Sequence, residues 1–331
     1  MTVTIAFLCA SFLIILASCY VFVNAVECLG GACNLHQGIV GSILAAIGTA
    51  LPETIIPILA ILFSKTMSAH DVGIGAIAGA PFMLSTLAFF VTGAAVLIYS
   101  ALGKRTRHMN VDAGIISKDL TFFLIIYGTA VASTLIYEIV WLKILIAILL
   151  LLSYSLYLKL IVSGEGTLLK NVGPLYLKVY FKLPENVPWI SVQLLFGLLL
   201  MLAGAHFFIS YIQSLSMTLG IAPLILSLVI TPIATELPEK LNSVLWVGRN
   251  KETLAIGNLT GAMVFQSCFP VVFGMIFTPW NLRGIILVSA ALALAGAAIN
   301  LAWLKIFKHM NPYVLMAGGA LYAVFICCVF L

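Results

Sequence analysis

The chain has 331 residues, 63% of them hydrophobic and only 8% charged, where a soluble globular domain carries about 25% charged residues. So apolar a chain cannot make a water-facing surface, which excludes a soluble protein and leaves an integral membrane protein. The formal charge of +5 is informative only through the placement of the basic residues along the chain.

A spanning helix needs roughly 20 apolar residues. Ten stretches qualify in chain order: 3–28, 38–63, 72–101, 120–137, 140–162, 190–218, 222–248, 253–278, 284–304 and 312–330. The first contains "LASC" at 16–19, similar to a lipoprotein cleavage box. The opening "MTVTIAF" has no Lys or Arg, so the basic region of a signal peptide is missing and the segment reads as a retained helix. Glu27, at the end of this segment, reads as a solvated helix end, with a place on an ion entry path as the alternative, and Glu138 as a residue of a solvated turn. Cys28 and Cys33 lie near a membrane edge and could pair, but the seven cysteines show no disulfide spacing. His206 reads as a core or interface histidine.

The second segment carries "GTALPETIIP" and the seventh "ATELPEKLNS". A proline inside a helix removes an amide donor and leaves the carbonyl four residues earlier without its partner. Pro52 thus frees the carbonyl of Gly48, and Pro238 that of Ala234. Freed carbonyls inside a membrane must be met by protein, water or an ion. An acidic residue at the bilayer centre costs around 2.5–3.5 kcal/mol on insertion scales, so Glu53, Glu236 and Glu239 together cost on the order of 10 kcal/mol if unpaired. Carboxylates, Thr hydroxyls and freed carbonyls are hard oxygen ligands, suited to Ca²⁺ and related cations. Two prolines nearby, Pro57 and Pro232, read as simple kinks.

The segments repeat. At an offset of 186, Thr49, Leu51, Pro52 and Glu53 fall on Thr235, Leu237, Pro238 and Glu239, and Phe22 falls on Phe208. At an offset of 182, Gly75 and Gly79 fall on Gly257 and Gly261. These paired glycines, four residues apart, let helices approach closely, and Asn258 and Gln266 add polar groups to the second pair's helix. The longest connection splits the chain into a first five-helix repeat (1–163), a loop (164–189) and a second five-helix repeat (190–331). An odd number of helices per repeat inserts the second copy upside down, which is a common build of secondary transporters.

Sorting the loops by side puts twelve basic residues on one face: Lys104, Arg105, Arg107, Lys118, Lys159, Lys170, Lys178, Lys182, Arg249, Lys251, Lys305 and Lys308. Three remain on the other, Lys65, Lys143 and Arg283, and Lys240 lies within a span. The richer face is expected to be cytoplasmic, with both termini outside.

The two blocks resemble the alpha repeats of the sodium/calcium exchanger family, within the calcium/cation antiporter superfamily. The resemblance covers the ten-helix plan and implies alternating access around a cation site at mid-membrane. That family shows Gly-Thr-Ser-Leu-Pro-Glu in both broken helices. Here the blocks read Gly48-Thr49-Ala50-Leu51-Pro52-Glu53 and Ala234-Thr235-Glu236-Leu237-Pro238-Glu239. Carried over, Glu53 and Glu239 are the central metal carboxylates, with Thr49 and Thr235 beside them. The serines that help bind sodium in the family are absent: Ala50 and Glu236 replace one pair, Ala80 and Ala262 the other. Lys240 is gained four residues after Glu236, a favourable order on a helix. Its ammonium could fill the place of a coupling sodium; Glu236 could titrate and couple transport to protons; or the site could prefer another divalent ion.

The sequence therefore points to an all-α antiporter of ten transmembrane helices, exchanging Ca²⁺ or a related divalent for H⁺ or Na⁺. The alternative is a non-transporting sensor or binding component on the same fold. No His-Glu-x-x-His or Gly-x-Ser-x-Gly points to an enzyme, and nothing suggests a cofactor, a nucleic acid or an oligomer. The expected partners are the lipid bilayer and small inorganic cations. The lack of a large central loop favours a prokaryotic cytoplasmic membrane.

Overall fold

The computed structural model describes residues 2–63, 67–164, 166–169, 172–218 and 236–330. The described residues are helical apart from their connections, with two isolated β-bridges. In chain order the helices are α1 (Thr2–Ala32), α2 (Ala46–Phe63), α3 (Met67–Met83), α4 (Phe89–Ala101), α5 (Ala113–Ala132), α6 (Val140–Val162), α7 (Tyr176–Phe181), α8 (Val187–Thr218), α9 (Leu237–Gly248), α10 (Glu252–Phe277), α11 (Ile285–Phe307) and α12 (Pro312–Phe330). A π-helical stretch, Ile39–Ala45, runs into α2, and another, Leu84–Ala88, joins α3 to α4.

Among the described residues, eight helical spans are long and apolar enough to cross a membrane. They match eight of the ten expected segments. Of the other two, the second forms the shorter apolar helix Ile39–Leu51 and its continuation. The seventh lies outside the described residues until Glu236. Large apolar side chains stand exposed along the outer helices, among them Leu13, Trp141, Leu152 and Leu199. Lipid is the environment in which such a surface is stable, so the chain is a multi-pass integral membrane protein.

Two boundaries differ from expectation. The fourth span begins at Ala113 rather than 120, because Asp112 caps it by accepting a hydrogen bond from the Ile115 amide at 3.1 Å. The charged pair Lys118-Asp119, which resembles a membrane edge in sequence, therefore lies inside a helix. The second span does not break at Pro52: α2 runs through it, and the irregular backbone comes earlier, in the π-helical stretch.

Helix α10 is the axis of the molecule, buried along most of its length and packed on α2, α3, α5, α6 and α9. Its glycines set how close that packing is. A Cβ at Gly257 would lie 2.9 Å from Ser42 Oγ, and one at Gly261 would collide with the Ser42 backbone. Gly79, by contrast, has open space around it among the described residues, and a Cβ at Gly75 would make an ordinary contact with Ile286 Cδ1 at 4.0 Å.

The contacts come in reciprocal pairs. Helix α1 meets α9 as α8 meets α2, and α5 meets α10 as α11 meets α3. In the same way α6 meets α10 as α12 meets α4, while α1 and α8 pack on each other. The connections gather at two ends. At one, His36 bridges Leu168, Met109 bridges Met310, and Arg105 pairs with Glu252 at 2.6 Å. At the other, Lys143 donates to the Thr278 carbonyl, and Arg283 to the Tyr137 hydroxyl. At the first end α7 lies in the long connection, where Lys178, 2.7 Å from Glu185, holds that carboxyl below the usual carboxylate range.

Candidate functional site

Three elements bring the sequence-predicted residues together: α2, the start of α9, and α10. Glu53 lies on α2, one turn beyond Thr49. Glu239 lies in the first turn of α9, with Pro238 beside it. Proline is well suited to a helix's first turn, since its missing N–H has no intrahelical partner there. The second repeat block thus opens a helix where the first block continues one. The N-terminus of α9, with its partial positive charge, carries Glu239 in its first turn.

The glutamates and their neighbours are buried: Glu53, Glu236, Glu239, Lys240, Thr49, Asn258 and Gln266. The carboxyl groups of Glu53 and Glu239 are in electrostatic contact, and Glu236 and Lys240 act on both. Helix α10 ties them in place. Asn258 Nδ2 donates to the Glu239 carbonyl at 3.3 Å, and Asn258 Oδ1 accepts from the Thr49 hydroxyl at 3.4 Å. Eight residues on, roughly 12 Å along the axis, Gln266 Nε2 donates to Glu53 Oε2 at 3.0 Å. The two amides of one helix thus contact the glutamate-bearing segments of both blocks.

Several oxygens at this centre have no hydrogen-bond partner among the described residues: Glu53 Oε1, both carboxylate oxygens of Glu239, and Gln266 Oε1. Buried polar atoms without partners are uncommon and costly. Together with the Thr49 hydroxyl they form a hard oxygen set whose chemistry fits a divalent cation as cargo. No cluster of three or more His, Cys, Asp or Glu with metal-holding geometry occurs among the described residues, so a cation here would take its further ligands from amides, hydroxyls, carbonyls and water. Gly48 lies at the same level of α2, against Phe22: a Cβ there would lie 2.8 Å from Phe22 Cζ. Its carbonyl has Pro52 as its i+4 residue, which offers no N–H. Ala234 and Thr235 lie outside the described residues.

Lys240 does not reach for a surface. Its Nζ is 3.1 Å from Glu236 Oε2, and both side chains are buried. Pro238 does not disturb this i,i+4 pair, because Glu236 is the N-cap and the helix begins between them.

Sequence reasoning missed three features. Asn242 is fully buried one turn after Glu239, and neither atom of its amide has a partner among the described residues; its i+3 spacing from Glu239 is the signal that could have found it. Asp119 is fully buried and accepts from Ser42 (2.7 Å), Thr260 (2.7 Å) and Tyr157 (3.0 Å). Glu27 is buried rather than solvated. It is bound by Lys251 (2.6 Å), Trp246 Nε1 (2.9 Å) and Arg249 (3.5 Å), beside a cavity of about 370 Å³ between α1, α7 and the α9–α10 turn. His206, expected in a core or interface, is exposed on α8, and the cysteines are all free thiols.

Comparison with known proteins gives a consistent result. The family model described as sodium/calcium exchanger protein matches residues 3–162 and again 189–331. A stretch of 152 residues is 26% identical to a protein of Alkalimonas amylolytica named a candidate antiporter, CaxA; it covers 43% of this chain and only about half (48%) of that relative's length. Over 257 residues the chain is 24% identical to an uncharacterized membrane protein of Methanocaldococcus jannaschii, covering 77% and 76% of the two chains. A structure of the sodium-calcium exchanger NCX_Mj, soaked with Na⁺ and Sr²⁺, shares the fold with a TM-score of 0.76 at 19% identity, over 98% of each chain. The chain belongs to the sodium/calcium exchanger protein family.

Proposed function

We propose that this cation antiporter works by alternating access between two inverted five-helix repeats, moving Ca²⁺ or a related divalent cation in exchange for H⁺ or Na⁺. Glu53 and Glu239 are the central carboxylates. Thr49 and Thr235 supply oxygens beside them, and the Gly48 and Ala234 carbonyls add to the set. Asn258 and Gln266 hold the two blocks in register.

The observation that carries this reading is the electrostatic contact of Glu53 and Glu239 beside the α10 amides, at oxygens without a hydrogen-bond partner among the described residues. Gln266 occupies one oxygen of Glu53, and the other has no hydrogen-bond partner among the described residues, which suits a ligand that is held in one orientation. Three further observations support two related halves. The family model covers two segments of similar length, 3–162 and 189–331. The helix contacts come in reciprocal pairs. Phe22 and Phe208 stand on the mutually packed helices α1 and α8.

Isotope flux in proteoliposomes tests it. Purified protein should accumulate ⁴⁵Ca²⁺ against an imposed Na⁺ or pH gradient, and the gradient that drives uptake names the counter-ion. Cation binding with no flux under either gradient would reject exchange and identify a sensor on the same fold.

A further inference from the structure

The ion pair beside the candidate cation site has a consequence for the number of charges the site can carry. The charged groups in electrostatic contact there, among the described residues, are Glu53, Glu236, Glu239 and Lys240. With all four ionised, as a bound cation favours, three carboxylates and one ammonium sum to −2. Lys240 cannot readily leave this sum: its Nζ lies 3.1 Å from Glu236, its side chain is buried, and it is anchored in the second turn of α9, one residue past Glu239. An ammonium on the backbone, unlike a bound Na⁺, crosses no membrane when the site changes its exposure.

We infer that Lys240 is a fixed cation of the transport site, and that it sets the exchange at one divalent for two monovalent charges, so that the cycle moves no net charge. This rests on the antiporter reading above. The low dielectric of the membrane strongly disfavours a site that reorients with uncompensated charge. A residual −2 is neutralised equally by one divalent cation or by two monovalent ones, whichever monovalent is used. Without the ammonium the sum is −3, and the monovalent-loaded site needs a third ion. The divalent-loaded site is then left at −1, so by the same rule it needs a monovalent cation bound beside the divalent.

The test is transport under a clamped membrane potential. Proteoliposomes with valinomycin and set K⁺ gradients fix the voltage while ⁴⁵Ca²⁺ flux is followed. Wild-type flux should be insensitive to voltage, and protein adsorbed on a solid-supported membrane should pass no sustained transport current. Lys240→Met should carry ⁴⁵Ca²⁺ only with a monovalent cation supplied on the same side; Lys240→Arg, which keeps the charge, should show no such requirement. Wild-type flux accompanied by current overturns the inference while leaving the antiporter reading intact, and this arm needs no variant to fold. Flux in a folded Lys240→Met with no new requirement for a monovalent cation on the Ca²⁺ side also overturns it. Flux absent in the wild type under every gradient rejects the antiporter reading and the inference together.

Discussion

Glu53 and Glu239 occupy different backbone settings yet share one electrostatic neighbourhood. One sits inside a continuous helix and the other in the first turn of a new one. Glu53→Gln and Glu239→Gln keep the size and remove the charge, so each should cut divalent flux by about 100-fold or more while the protein stays folded. That magnitude corresponds to roughly 2.7 kcal/mol, within the range of a hydrogen bond or contact to a charged group. Flux assays paired with thermal unfolding in detergent check it; wild-type rates in either variant would contradict the assignment. Both glutamates were legible in sequence because a block that returns after 186 positions isolates them. Asp119 was not, because a lone charge after a lysine resembles a helix edge. Its environment is structural: hydroxyls from Ser42, Thr260 and Tyr157 join the π-helical stretch, α10 and α6 to α5. Asp119→Asn removes an acceptor oxygen and should lower stability by about 1–3 kcal/mol, read as a reduced melting temperature. Unchanged melting would show that these bonds contribute little.

At the scale of elements, the glycines of α10 illustrate a spacing that the sequence shows and a partner that it does not. Gly257 and Gly261 were legible as a close-packing face, but their partner is the backbone of the π-helical stretch at Ser42. No periodicity predicts a π-helical insertion, which adds a residue per turn and is often found at functional sites. Gly261→Ala should force the two backbones apart, costing about 1–3 kcal/mol as an overpacked core does. It should also weaken cation binding, since Asn258 and Thr49 shift with the same contact. A variant with wild-type melting and binding would show that the contact is not tight. The prolines were read correctly as marks of special backbone and incorrectly as equivalent breaks. In α2 the helix absorbs Pro52; in α9 the helix starts at Pro238, where proline belongs.

At the scale of the whole molecule, composition decided the environment and the hydropathy pattern decided most spans. The packing of the helices required long-range contacts that no local pattern contains. The loops gather into two ends, with Arg105, Arg107, Lys178 and Lys251 among the residues at one and Lys143 and Arg283 at the other. That grouping agrees with the sorting of basic residues into twelve and three. With the richer end cytoplasmic, cysteines added at either terminus should react with an impermeant maleimide from outside intact cells; labelling only after permeabilisation would reverse the topology. The central claim concerns the space between the two halves, where Glu53 and Glu239 are proposed to share one divalent cation. An anomalous difference map from crystals soaked in Sr²⁺ examines that space directly. A peak between the two carboxylates, with oxygens at about 2.3–2.6 Å for the calcium-like ion, is the expected result. A map with Sr²⁺ bound elsewhere and none between Glu53 and Glu239 would contradict it.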